Sequence, residues 1–150
     1  MSDKIMSERK EVLHGKTYKI RPTGSEYSYY ITINSQESNG IVKPREIFFN
    51  TKCPEHYEHL MAVTRIISAV FRLADDSLFI ADELKEIFSP IGGYRKRDKW
   101  YNSLYNEIGE VIELYLLEIN AINKATLEDK EIENSNALKN MSWSMYELGN

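Results

Sequence analysis

The sequence predicts an α+β fold: a three-stranded antiparallel meander packed on a buried central helix, which two further helices follow. Segments rich in aromatic and β-branched residues fill the stretch 16–49, an almost wholly apolar helical pattern covers 54–74, and two amphipathic helical stripes come after it. Because the strands precede the helices and do not alternate with them, the class is α+β and not α/β.

The meander is predicted from three segments with turn signals between them. Polar and apolar residues alternate over 16–21, and the segment 27–35 contains the run Tyr-Tyr-Ile-Thr-Ile. The third segment, 41–49, returns after a polar turn. Proline cannot donate to a strand ladder, so Pro44 is expected at a sheet edge or a bulge.

The central helix is predicted from Pro54, which suits a first helical turn, to about Ala74. Its apolar residues surround it almost completely and leave a narrow polar seam: Thr64, Arg65, Ser68 and Arg72. A helix this apolar has to be covered by other elements. We therefore expect the strands and the later helices to bury it, and the arginines of the seam to pair with carboxylates inside the fold.

Two further helices are predicted after it. The first begins near the capping residues 75–77 and ends before Ser89, with an apolar face that consists of Ile80, Leu84, Ile87 and Phe88. A basic loop is expected over 94–99, and a long helix from about Trp100 to Lys124. The predicted organisation is an arm over 1–15, a domain over 16–124 and a polar tail over 125–150.

Composition restricts the classes of function. The 150 residues suffice for one domain with its own core, and the formal charge of −4 argues against a protein that mainly coats nucleic acid. Cys53 is the only cysteine, which excludes an intrachain disulfide and a thiolate zinc cage. With neither a signal peptide pattern nor an apolar run of about 18 residues, the chain is expected in the cytoplasm.

Three clusters of residues suggest chemistry, and each also has a structural interpretation. Cys53, His56 and His59 have helical spacing that can serve a metal, but a fourth ligand is missing. A helix N-terminal surface is therefore favoured, and no metal site is predicted. The glycines Gly92 and Gly93 follow a helix, not a strand, so a chain reversal is preferred to a nucleotide loop.

The basic cluster Arg95-Lys96-Arg97, flanked by Tyr94 and Trp100, can hold a phosphate or an acidic partner, or form a solvated loop. The tail contains Trp143, Met145, Tyr146 and Leu148, which either dock on another protein or pack back on the domain. No nucleophile elbow, metalloprotease motif or phosphate-cradling loop occurs, and no catalytic residue is predicted.

An ordered series of motifs resembles the C-terminal, TSCPD-type domain of adenosylcobalamin-dependent (class II) ribonucleotide reductases. The similarity covers about residues 16–117 and is carried by these runs: 18–20, 30–34, 44–52, 55–57, 62–72, 83–88, Pro90, 92–93, 103–104, 108–109 and 111–113. In that family the catalytic work belongs to a large barrel, which binds cobalamin and the nucleotide. This chain is too short to contain such a barrel, and its tail lacks the cysteines common in the family.

The resemblance implies a stand-alone, non-catalytic accessory or regulatory subunit that binds a reductase large chain and supports deoxyribonucleotide synthesis. Adenosylcobalamin would then belong to the catalytic chain, and no cofactor is expected on this one. The alternatives are a repurposed module, for example of phage origin, that binds an unrelated protein or nucleic acid, and a small independent enzyme. A homo-oligomer stays open.

Eight polar or glycine positions near helix starts and loops are the predicted binding residues: Arg45, Asn50, Lys52, His56, Gly92, Gly93, Arg95 and Arg97.

Overall fold

A computed structural model of the chain describes residues 8–148, and the side chains of 8–144. The elements follow in this order: β1 (His14–Ile20), β2 (Tyr29–Ser38), β3 (Ile41–Thr51), α1 (Pro54–Leu73), α2 (Phe79–Lys85), β4 (Tyr94–Lys96), β5 (Lys99–Tyr101) and α3 (Leu104–Leu148). The predicted α+β class is confirmed, as are the meander and the two helices after the central one.

The meander is a sheet of order β1-β2-β3 with antiparallel pairing throughout. Asn34 pairs with Glu46, but Ser35 pairs with Pro44, so Arg45 is the extra residue of a bulge on β3. The prediction for Pro44 is confirmed, because it lies beside this bulge on an edge strand.

One face of the sheet forms the core. Alternate residues of each strand point to that face, as the period of two requires. The side chains buried completely between the sheet and the helices are Ile31, Ile33, Ile47, Leu60, Phe71, Ile108 and Ile112. The opposite face carries Tyr30 and Phe48, which are both exposed, so only one side of the sheet is covered by helices.

Both long helices bond to the free edge of β3. The Ser68 hydroxyl of α1 accepts from the Ile47 amide at 3.1 Å and donates to the Ile47 carbonyl at 3.3 Å. The Asn123 amide of α3 bonds in the same way to both backbone groups of Val42, at 2.8 and 2.7 Å. An edge strand exposes such groups to further pairing, and here two side chains satisfy them.

Helix α1 buries some of its polar residues and exposes some of its apolar ones. Thr64 and Ser68 of the polar seam are buried against the sheet, whereas the apolar residues Ile66 and Leu73 are 64% and 83% exposed. The expectation that other elements cover this helix almost all round is therefore wrong. The helix rests with one face on β3, and the bond from Ser68 to the strand edge turns two of its polar residues inward.

The second helix is shorter than predicted. It ends at Lys85, and both Ile87 and Phe88 lie beyond it with exposed side chains. They do not extend the buried face of α2, which consists of Ala81 and Leu84. The assignment of Ile87 and Phe88 to that face is wrong because the chain leaves the helix before reaching them.

The predicted basic loop over 94–99 is a β-hairpin. Its two-residue turn, Arg97-Asp98, has φ angles of 52° and 62°. Left-handed residues at both turn positions give the type I′ geometry that suits the twist of paired strands. Trp100 belongs to β5, so the last helix begins at Leu104 and not at Trp100.

Helix α3 continues far beyond the predicted end at Lys124. Its 45 residues span about 68 Å at 1.5 Å per residue. Lys130 still contacts the sheet, with its ammonium 2.8 Å from the Asn39 carbonyl, but the side chains of 131–144 are exposed. The apolar stripe weakens after Ile122, whereas good helix formers such as glutamate, lysine and leucine continue, so propensity extends the helix.

Trp143 at the end of this helix is exposed and does not pack back on the domain. The side chains of Met145, Tyr146 and Leu148, the rest of the predicted aromatic segment, lie outside the described residues. The limits 16–124 for the domain stay a prediction.

Replacement of Ser68 by alanine is expected to lower the free energy of unfolding by about 1–3 kcal/mol, since the Ile47 amide and carbonyl then lose their partner. Urea denaturation measures the change. The matched control is Ser135→Ala on the exposed part of α3, which we expect to shift stability by less than about 0.5 kcal/mol. Equal stabilities for the two variants would contradict the role of Ser68.

Candidate functional site

A cavity of about 560 Å³ opens where four parts of the chain meet. These are the β1–β2 loop, the first turn of α1, the α2–β4 loop and the start of α3. Its volume is in the range of small-molecule and peptide pockets. Its lining includes the following residues: His56, Ile87, Phe88, Ile91, Gly92 and Gly93.

The rim of this cavity is apolar and exposed. Phe88 is 68% exposed and Ile91 is 96% exposed, although both are large hydrophobic side chains. Pro90 lies between them on the same loop. Clusters of large, solvent-exposed apolar side chains are typical of surfaces that bind a protein or a ligand. We call Ile87, Phe88, Pro90 and Ile91 the apolar rim.

Hydrogen bonds hold the loop that carries the apolar rim. The Ser103 hydroxyl donates to the Ile87 carbonyl at 2.6 Å, and the Ser89 amide donates to the Asn102 carbonyl at 2.9 Å. The Gly92 amide then bonds back to the Ser89 carbonyl at 3.1 Å. The rim is therefore held in one shape against the start of α3, which lowers the entropy cost of binding.

The two glycines shape this loop in different ways. Gly92 has φ +97°, a conformation that other residues adopt only with strain. At Gly93 an added Cβ would lie 2.1 Å from the Tyr101 carbonyl oxygen, so no side chain fits. Both positions contribute backbone geometry to the site.

Beneath the rim, a buried carboxylate connects the hairpin to α3. Glu107 is 4% exposed, and its two oxygens accept from the Tyr94 hydroxyl and the Lys96 ammonium, each at 2.5 Å. Burial first, and the bond to Glu107 second, raise the pKa of Tyr94 far above its usual value. A second ion pair, Lys99 to Glu110 at 2.6 Å, acts in parallel.

These pairs account for both lysines of the basic hairpin. Arg95 and Arg97 remain exposed on its outer side. The Thr23 hydroxyl donates to the Arg95 carbonyl at 2.7 Å and thereby ties the hairpin to the β1–β2 loop. In the cluster Arg95-Lys96-Arg97, for which a phosphate site and a solvated loop were both open, Lys96 is therefore paired inside the protein.

The Cys53-His56-His59 cluster is not assembled on one surface. Cys53 is buried and its thiol bonds to Tyr29, whereas both histidines are exposed. Burial, and next the bond to Cys53, raise the pKa of Tyr29. Within residues 8–148, no group of three or more histidine, cysteine, aspartate or glutamate side chains is arranged to hold a metal ion.

Three of the predicted binding residues line the cavity: His56, Gly92 and Gly93. The His56 ring lies 6.3 Å from the ring of Tyr29, which also lines the cavity. Arg95 lies on the adjoining hairpin, one residue beyond Tyr94 of the lining.

The other predicted positions lie elsewhere. Arg97 occupies the tip of the hairpin, and Asn50 and Lys52 are exposed around the end of β3. Arg45 is 9% exposed at the bulge, so its guanidinium is part of the protein interior. Phe88 and Ile91 were not among the site residues predicted from the sequence. The pattern that could have indicated them is two large apolar residues beside the loop residues Pro90 and Gly92.

The sequence matches one known domain family. A family model described as the TSCPD domain matches residues 4–116, which is three quarters of the chain. The chain belongs to the TSCPD domain family, and this domain is found in class II ribonucleotide reductases. The match includes the whole three-stranded sheet, α1, α2, the hairpin and the first turns of α3.

No curated protein and no solved structure matches the chain. A search for membrane spans over residues 8–148 finds none, since every helix there is too short or too polar to cross a bilayer.

The raised pKa of Tyr101 in the hairpin predicts that the protein loses stability at alkaline pH. Burial, and next a hydrogen bond to Glu110, raise the pKa of Tyr101 from 10.0 to about 12. The folded protein therefore keeps a proton that the unfolded chain loses above pH 10. This contribution to stability is fully present below pH 10 and disappears between pH 10 and 12.

Urea denaturation at several pH values measures this effect. The free energy of unfolding is expected to fall between pH 10 and 12, and Tyr101→Phe should reduce the slope by less than about 1.4 kcal/mol per pH unit, the limit for one proton. An unchanged slope in Tyr101→Phe would show that the hydroxyl does not take part.

Proposed function

We propose that this chain is a non-catalytic accessory or regulatory subunit of a class II ribonucleotide reductase, which it serves by binding the catalytic chain. The observation that supports the proposal is the apolar rim, in which Phe88 and Ile91 stand exposed on a hydrogen-bonded loop. The family match supports the choice of partner, because TSCPD domains are found in these reductases.

The arrangement of polar groups around the cavity fits binding better than catalysis. Glu107, Tyr94 and Lys96 bond to one another and hold the hairpin on α3. A general acid or base has to reach a reacting atom of the substrate, and these three groups are committed to the fold. On this proposal adenosylcobalamin and the nucleotide are bound by the catalytic chain, in the cytoplasm.

The apolar rim can contribute most of the binding free energy. Burial of a phenylalanine or isoleucine side chain is worth about 1.5–3 kcal/mol. In protein interfaces a few central aromatic and aliphatic residues dominate the affinity, surrounded by polar groups. Arg95 on the outer side of the hairpin and the exposed His56 supply such a polar border.

Phe88→Asp and Ile91→Asp are each expected to weaken binding to a class II reductase catalytic chain by at least about tenfold, since a charge replaces a buried apolar contact. Calorimetry with the purified catalytic chain measures the affinity. The control is Leu73→Asp, an equally exposed leucine at the end of α1 outside the cavity, which should leave the affinity unchanged.

Absence of a complex between the wild-type chain and the reductase would exclude the proposal. The remaining interpretation is then a repurposed module for another protein or for nucleic acid. Affinity purification from the native host, with Phe88→Asp as the reference bait, identifies a protein partner that depends on the same rim.

A further inference from the structure

A second concave surface lies between α1 and the exposed side of β3. It encloses about 440 Å³ and is lined by Glu46, Phe48, Thr64, Arg65, Ile66, Ser68, Ala69 and Arg72. None of these residues lines the cavity with the apolar rim. We call this surface the α1–β3 groove.

Two arginines on one helix border the groove. Arg65 and Arg72 are exposed, and among the described residues neither guanidinium takes part in an ion pair or a hydrogen bond. The expectation that they pair with carboxylates inside the fold is therefore wrong. They are seven positions apart in the sequence, so their backbone positions are about 10.5 Å apart along one side of α1.

The carboxylate in the groove does not neutralise these arginines. Glu46 is held by the Arg9 guanidinium at 3.0 and 3.1 Å and by the Asn34 amide at 3.1 Å. The bond to Arg9, more than any other cause, lowers the pKa of Glu46. Its charge is matched by Arg9, so the groove keeps an excess of positive charge from Arg65 and Arg72.

An unsatisfied hydroxyl belongs to the same groove. Thr64 is 4% exposed, and its Oγ1 has no hydrogen-bond partner within the described part of the chain. A helical threonine commonly bonds to the carbonyl four residues earlier. Buried polar groups without a partner are rare and call for an explanation. A ligand oxygen, or a water that enters with the ligand, would supply the missing partner.

The remaining walls are apolar. Phe48 and Ile66 are both about half exposed or more, and they face the groove from the strand and from the helix. A phenyl ring offers a flat surface on which another aromatic ring can stack. The groove thus combines an aromatic wall with two unpaired guanidinium groups, which bind phosphate oxygens through paired N–H donors.

We infer that the α1–β3 groove binds a small organic phosphate that contains an aromatic ring. The ring packs on Phe48 and Ile66, and the phosphate oxygens accept hydrogen bonds from Arg65 and Arg72. Thr64 completes the site by bonding to the ligand directly or through a bridging water. This site does not depend on the apolar rim or on any reductase partner.

Phenyl phosphate is the probe, and the full-length protein is titrated with it while amide chemical shifts are recorded by NMR. Inorganic phosphate carries only the charge, and benzyl alcohol carries only the ring. Phenyl phosphate is expected to bind at least about tenfold more tightly than either, with shift changes at Phe48 and along α1. Affinity should fall as salt is added, because the arginines act through charge.

Arg65→Gln and Arg72→Gln are each expected to weaken binding at least about fivefold. Their control is Lys139→Gln, which removes one positive charge on the exposed part of α3, outside the groove, and should bind like the wild type. Thr64→Val removes the unsatisfied hydroxyl at nearly constant shape, so it should fold well and bind more weakly, with recovery in Thr64→Ser.

Several results would overturn this inference. If phenyl phosphate binds no more tightly than inorganic phosphate, the aromatic wall does not contribute to binding. Equal affinities in Arg65→Gln, Arg72→Gln and Lys139→Gln show that the charges of the groove are irrelevant. Binding of a short oligothymidylate without binding of phenyl phosphate assigns the surface to nucleic acid.

Discussion

The free edge of β3 is the constraint on which the rest of the structure depends. An edge strand exposes amide and carbonyl groups that either pair with another chain or have to be satisfied internally. Ser68 of α1 and Asn123 of α3 satisfy Ile47 and Val42. These bonds fix where both helices cross the sheet, and the bulge at Arg45 allows both residues to present their backbone groups to the same side.

The position of the helices then separates the molecule into two surfaces. At one end, the starts of α1 and α3 meet the α2–β4 loop and produce the cavity with the apolar rim. Along the strand edge, the outer side of α1 and the exposed residue Phe48 form the α1–β3 groove. One surface is apolar and the other carries unpaired arginines, so the two suit different ligands. On the two proposals above, the protein partner and the small anion would occupy separate surfaces.

Much of the fold could be predicted from sequence because the signals are local. The period-two strands, Pro54 at the helix start and the bulge near Pro44 all follow from residue type and spacing. Prediction failed where two interpretations of one pattern compete. The hairpin over 94–101 looked like a basic loop, since its turn residues Arg97 and Asp98 lack the glycine or asparagine that usually signals this geometry.

The sequence by itself determined the α+β class, the strand order and membership of the TSCPD family. Only the tertiary structure decided which polar residues face the sheet and which face solvent. Whether Ser68 faces the sheet and Arg72 faces solvent depends on the rotation of α1, which packing against β3 selects. Functional surfaces form between elements that are distant in sequence. Local sequence patterns therefore predict the helices and strands but not how these pack against one another.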